Sequence, residues 1–96
     1  MKITIIPSDG AVYKDGVSYS ELSLTSVPSN IHAMQWDGVK GEIEFVTDAN
    51  GNKAINEKID ALPDWVNDCL TAWDSAKIEE ENLIESQPTV SGAQDL

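Results

Sequence analysis

Apolar and polar residues follow a period of two in three stretches, residues 2–6, 11–19 and 31–46, and change to three- and four-residue steps from Trp65 onward. A period of two puts alternate side chains on opposite faces of a strand, whereas three- and four-residue steps build one stripe along a helix. The first stretch, Lys2-Ile-Thr-Ile-Ile6, is stopped by Pro7-Ser-Asp-Gly10 as a turn would stop it. In the second, Asp15-Gly16 is a dipeptide that tolerates the positive φ angles of a type I′ turn, so a two-residue hairpin is expected. That register sets Lys14 against Val17 and Val12 against Tyr19. Val12, Val17 and Tyr19 then share one side, and Tyr13 and Ser18 take the other. Residues 20–30 are rich in Ser, Thr and Pro, with Leu22, Leu24 and Val27 loosely alternating, which reads as a loop or a weak edge strand.

The third stretch, Ile31-His-Ala-Met-Gln-Trp-Asp-Gly-Val-Lys-Gly-Glu-Ile-Glu-Phe-Val46, reads as a hairpin with its large side chains on one face. A two-residue turn at Asp37-Gly38 sets Trp36 against Val39 and aligns His32, Met34, Trp36, Val39, Ile43 and Phe45 inward, leaving Gln35, Lys40, Glu42 and Glu44 to water. A five-residue loop ending at Gly41 is the competing register. It sets Trp36 against Glu42 and exposes more apolar surface, which disfavours it.

Residues 48–52 form a second strong turn, and residues 53–59 carry too little apolar character to assign. Pro63 suits the first turn of a helix, where its missing N–H costs nothing, and Asp64 complements the helix dipole. From there Trp65, Val66, Cys69, Leu70, Trp73, Ala76 and, after a gap, Leu83 form the stripe that should cover a sheet. Glu79, Glu80, Glu81 and Glu85 oppose the dipole at the far end, so the last turns are expected to fray. The expected architecture is α+β: a small antiparallel β-sheet built from hairpins, packed against one C-terminal amphipathic helix. Residues 1–85 form a single domain in this reading and residues 86–96 a disordered C-terminal tail.

Charge narrows the function classes. Seventeen acidic residues against six basic ones give a formal charge of −11, a field that repels phosphate backbones, so no nucleic-acid partner is expected. Cys69 is the single cysteine, which rules out an intrachain disulfide. The apolar stretch before Pro7 is far shorter than a signal-peptide core, and nothing approaches the roughly 20 apolar residues of a membrane span. A cytoplasmic protein without a membrane partner is therefore expected.

Candidate chemistry is thin. Asp48, Asn50 and Asn52 alternate like the early ligands of a calcium loop, but its required Gly and Glu are replaced by Lys53 and Ile59. His32, the one histidine, has no ligand partner at recognisable spacing, and Cys69 falls in the apolar stripe as a small hydrophobe. Glu42, Glu44 and the 79–81 run lie on faces or segments expected to be solvated, which speaks against a glycosidase-like acid/base pair. The glycines are scattered singly at turns, so no phosphate loop is formed. The expectation is a non-enzyme with no catalytic residue, cofactor or metal. Three tryptophans are many for so small a core. Beyond packing, indoles anchor protein contacts, so Trp36, Met34, Phe45, Trp65 and Trp73 are the candidate partner-binding residues.

One resemblance adds to this. Ile31-His-Ala-Met-Gln-Trp-Asp-Gly38, followed by Gly41-Glu-Ile-Glu-Phe45 and by Leu62-Pro-Asp-Trp65 opening an acidic helix with Ala72-Trp73, resembles the small acidic proteins encoded beside tail-fibre genes in tailed phages and prophages. That group includes XkdW-like proteins and tail fibre assembly proteins, and the likeness spans residues 1–77. It implies a non-enzymatic, chaperone-like accessory whose partner is a phage tail-fibre or baseplate protein. Self-association as a homo-oligomer stays open. The implied location is the cytoplasm of the bacterial host, or else the virion. The competing readings are a structural component of the tail or baseplate and an acidic DNA-mimic inhibitor of a host protein, though the charge looks too dispersed for mimicry.

Overall fold

The computed structural model describes residues 1–86, with side chains through Asn82. Six strands, β1 (Ile3–Ile6), β2 (Ala11–Lys14), β3 (Val17–Tyr19), β4 (Ile31–Trp36), β5 (Gly41–Phe45) and β6 (Glu57–Ile59), precede one helix, α1 (Trp65–Ser86). The strands form a single sheet in the order β3-β2-β1-β4-β5-β6, with every neighbouring pair antiparallel. Two three-stranded meanders thus meet along β1 and β4. The expected α+β class and its C-terminal helix are both present. The disordered-tail expectation falls on residues 87–96, outside the described residues; Ser86 is the last residue of α1.

The N-terminal hairpin has the register read from Asp15-Gly16: Lys14 pairs with Val17, Tyr13 with Ser18 and Val12 with Tyr19. Both turn residues sit at positive φ, Asp15 at 50° and Gly16 at 87°, as a type I′ turn requires. Val17 nevertheless remains 48% exposed, because it lies on an edge strand.

The second hairpin departs from expectation. Trp36 pairs with Gly41, Gln35 with Glu42 and Met34 with Ile43, so four residues, 37–40, connect the strands. The cause lies in Asp37. Its Oδ1 accepts the amides of Val39 at 2.9 Å and Lys40 at 2.8 Å, and its own N–H donates to the Lys40 carbonyl. Asp37 therefore closes the base of the turn, and Gly38, at φ 108°, leads its tip. The slip of two residues preserves the pleat, so Met34 and Ile43 still point inward together while Val39 leaves the sheet and becomes 76% exposed. Gly41 is needed opposite Trp36. A Cβ there would stand 2.2 Å from the Gln35 carbonyl oxygen and 3.1 Å from Trp36 Cε3.

A β-bulge corrects a second expectation. The register shifts between Ile31 and Ala33, where His32 and Ala33 together oppose Glu44. Alternation breaks there: Ile31 is buried and His32 is exposed rather than facing inward.

On the covered face, Tyr19, Val12, Ile5, Met34, Ile43 and Glu57 are successive cross-strand neighbours, and the four central members are buried. Helix α1 packs chiefly on β2 and β3, inserting Val66, Cys69 and Trp73. Residues 20–30 contain no strand. They bring Leu22, Leu24 and Val27 onto the same core, tied down by Leu22 N–H to the Gly10 carbonyl and by Ser26 Oγ donating to the Trp65 carbonyl. The helix begins beside Pro63 as its sequence predicts, with Val66 and Asn67 donating to the Pro63 and Asp64 carbonyls. No described helix is long and apolar enough to cross a membrane.

Candidate functional site

The five residues singled out as candidate contacts separate into two groups. Met34 is fully buried and Trp73 is 6% exposed, so both serve the interior. Trp73 is the point where helix and hairpin interlock. Its Nε1 donates to the Val17 carbonyl at 3.0 Å, Tyr19 meets its ring edge-on at 5.5 Å, and Lys14 Nζ lies 4.7 Å from its ring centre. Lys14 also pairs with Asp74 at 3.6 Å, and the Tyr19 hydroxyl donates to Glu80 at 3.0 Å. Partial burial first, and the Glu80 carboxylate second, hold the Tyr19 phenol above its ordinary pKa.

Trp36, Phe45 and Trp65 are half-buried. All three pack against the core, Trp36 and Phe45 from opposite ends of the β4–β5 hairpin and Trp65 from the first turn of α1, where its carbonyl accepts Ser26 Oγ. Each keeps part of a large apolar group in water. Such half-exposed aromatic surface suits contact with a partner, because burying the remainder adds about 25 cal/mol for each Å² removed from water.

The opposite face of the sheet is polar. Ser18, Tyr13, Thr4, Gln35, Glu42 and Lys58 are neighbours from edge to edge across all six strands. At the β4–β5 turn end lies an open depression of about 500 Å³, lined by Gln35, Trp36 and Glu42 and bordered by Lys2, Lys40 and Lys58. Thus half of the chain's six lysines converge on one place. The ion pairs among the described residues are Lys14–Asp74 and Lys77–Glu81, so these three ammonium groups are unpaired there. The two acids of the lining are engaged locally. Asp37 accepts the Lys40 and Val39 amides, which hold its pKa below the ordinary value, and Glu42 accepts Asn56 Nδ2 at 2.6 Å. Pattern reading misses this group because Lys2, Lys40 and Lys58 come together only through the β1–β4 and β5–β6 pairings.

Reaction chemistry is not assembled by the remaining candidates. His32 is exposed on the bulge. Asp48 spends its Oδ1 on the amides of Asn50 and Asn52, at 2.9 and 2.8 Å, which makes residues 48–52 a self-capped turn. Cys69 is fully buried, and that burial raises its thiol pKa. No group of three or more His, Cys, Asp or Glu side chains is placed to hold a metal among the described residues. Comparison with protein-family models, curated proteins and solved structures gives no match.

Proposed function

We propose that this chain is a non-enzymatic accessory protein that assists the folding and assembly of a phage tail-fibre or baseplate protein by direct contact. The observation that carries the reading is that Trp36, Phe45 and Trp65 pack against the core yet each stays half-exposed. The resemblance of the 31–45 and 62–73 segments to small acidic proteins of the tail-fibre region supplies the partner class. Trimeric fibres expose apolar and strand-edge surface before their chains associate, and half-exposed aromatic side chains on an acidic carrier cover such surface reversibly. The net charge of −11 keeps the carrier itself from associating non-specifically.

The test is co-expression with the adjacent fibre protein. The expected result is a higher yield of soluble fibre trimer, lost with Phe45→Ser in a variant whose helical circular dichroism is intact. An unchanged yield counts against the reading. Mass spectrometry of purified particles separates an assembly factor, absent from them, from a tail or baseplate component, which stays.

A further inference from the structure

We propose that the depression bordered by Lys2, Lys40 and Lys58 is a docking site for a short acidic peptide segment of the partner. This rests on the contact function above and adds the chemistry of one contact. Two of the six lysines, Lys14 and Lys77, pair with carboxylates. Lys2, Lys40, Lys53 and Lys58 pair with none among the described residues, and three of these four border one depression, which they share with Asp37 and Glu42. Those two carboxylates are turned to the β4–β5 turn and to Asn56. With the two carboxylates counted, the lining carries one net positive formal charge, and three exposed ammonium groups surround the Gln35 amide and the Thr4 hydroxyl.

Geometry favours an extended peptide. Thr4 and Lys58 stand three strands apart in one cross-strand row, about 14 Å at the ordinary strand spacing. Lys2 and Lys58 therefore border the depression from opposite sides, with Lys40 at its turn end. Carboxylates on one face of an extended segment recur every 6–7 Å, so alternate residues reach successive lysines. The lysines are exposed point charges without arginine forks, which suits several spaced carboxylates better than one phosphate group. The depression is open, and the charged groups that border it are not buried, as befits a macromolecular contact.

The net charge of −11 gives the site an unusual salt dependence. Near 0.15 M ionic strength the screening length is about 8 Å, so a bound segment senses the local lysines. Near 0.01 M it is about 30 Å, and the whole acidic surface opposes binding; near 1 M it is about 3 Å and the lysines themselves are screened.

The experiment titrates the full chain with an end-blocked hexaglutamate peptide, following backbone amide shifts by NMR. Shift changes are expected at Lys2, Thr4, Gln35, Lys40, Glu42 and Lys58, with affinity highest at intermediate salt. A triple K2Q/K40Q/K58Q variant should bind on the order of tenfold more weakly, and K53Q/K77Q should bind as the parent does. The proposal is overturned by shifts confined to other residues, by no shift at millimolar peptide, or by a triple variant that binds unchanged. It is likewise overturned if tripolyphosphate occupies the site more tightly than the peptide, or if sedimentation shows a dimer of this chain that the triple variant abolishes. Loss of hexaglutamate binding leaves the fibre co-expression result untouched, so the two readings fail separately.

Discussion

Trp73→Phe tests how the helix is held to the sheet. The substitution keeps an aromatic ring in the core but removes the indole N–H that donates to the Val17 carbonyl at 3.0 Å. A hydrogen bond of this kind contributes about 0.5–1.5 kcal/mol net. The smaller ring buries some 40 Å² less apolar surface, about 1 kcal/mol at 25 cal/mol per Å². The Lys14 ammonium, 4.7 Å from the ring centre, also meets a weaker π-face, a loss of a few tenths of a kcal/mol at a partly exposed site. Together the cost is about 2–3 kcal/mol. That is a large share of the 5–15 kcal/mol typical of a domain, and it corresponds to a drop in Tm of roughly 10–15 °C.

Urea denaturation followed by circular dichroism measures it, with an unchanged m-value showing that only stability has moved. Tyr19→Phe is the reference. It removes the hydroxyl bond to Glu80 at the exposed end of the same cluster and should cost no more than about 0.5 kcal/mol. If Trp73→Phe costs as little as Tyr19→Phe, Trp73 does not fasten α1 to the β2–β3 hairpin.

Gly41→Ala should destabilise the fold by about 2 kcal/mol or more in the same denaturation assay, because the new methyl meets the Gln35 carbonyl and the Trp36 ring. Asp37 has a depressed folded-state pKa, so it adds stability above the unfolded value near 3.9 and loses it as pH falls through the lower folded value. Asp37→Asn should therefore flatten the fall in Tm at acid pH, and NMR titration of the Asp37 carboxyl should give a midpoint below 3.9; a midpoint above it refutes the turn assignment. Cys69 should be inert to a thiol reagent in the folded chain and react at once on unfolding, since it is fully buried and its thiol pKa is raised.

The two Asp-Gly dipeptides show which parts of the fold can be read locally. At Asp15-Gly16 both residues take positive φ, and the hairpin follows from the dipeptide alone. Asp37-Gly38 carries the same signal, yet Asp37 keeps to the strand side of the turn and uses its carboxylate as a cap. The difference is not local. Asp15 Oδ1 accepts the Lys2 amide at 2.8 Å, a contact that exists only once β1 has paired with β2, and Trp36 fits only against the bare backbone of Gly41. The inward face of the second hairpin survived this slip because two residues are one full period of a strand. The bulge at His32 did not preserve it, since a single extra residue reverses the alternation. The helix was legible from Pro63-Asp64 and the Val66, Cys69, Trp73 stripe because its signal is local in sequence. Strand β6 was not, for Glu57-Lys58-Ile59 is an edge with little to bury.

The same pairing rules account for where the candidate contact surfaces lie. One helix on a six-stranded sheet cannot cover both meanders, and α1 rests chiefly on the N-terminal one, fastened by Trp73. Trp36 and Phe45 on β4 and β5, and Trp65 at the start of α1, stay half in water. On the reverse face no described element packs over the row from Thr4 to Lys58, and the three lysines beside it are unpaired among the described residues. Trp36 takes part in both, packing against the core and lining the depression. A partner that grips this half of the sheet meets an indole edge with cationic charge on one side and apolar surface on the other. The acidic side chains of α1, Asp74, Glu79, Glu80 and Glu81 among them, are exposed outside the lining of the depression, and in the contact proposed above they would stay in water.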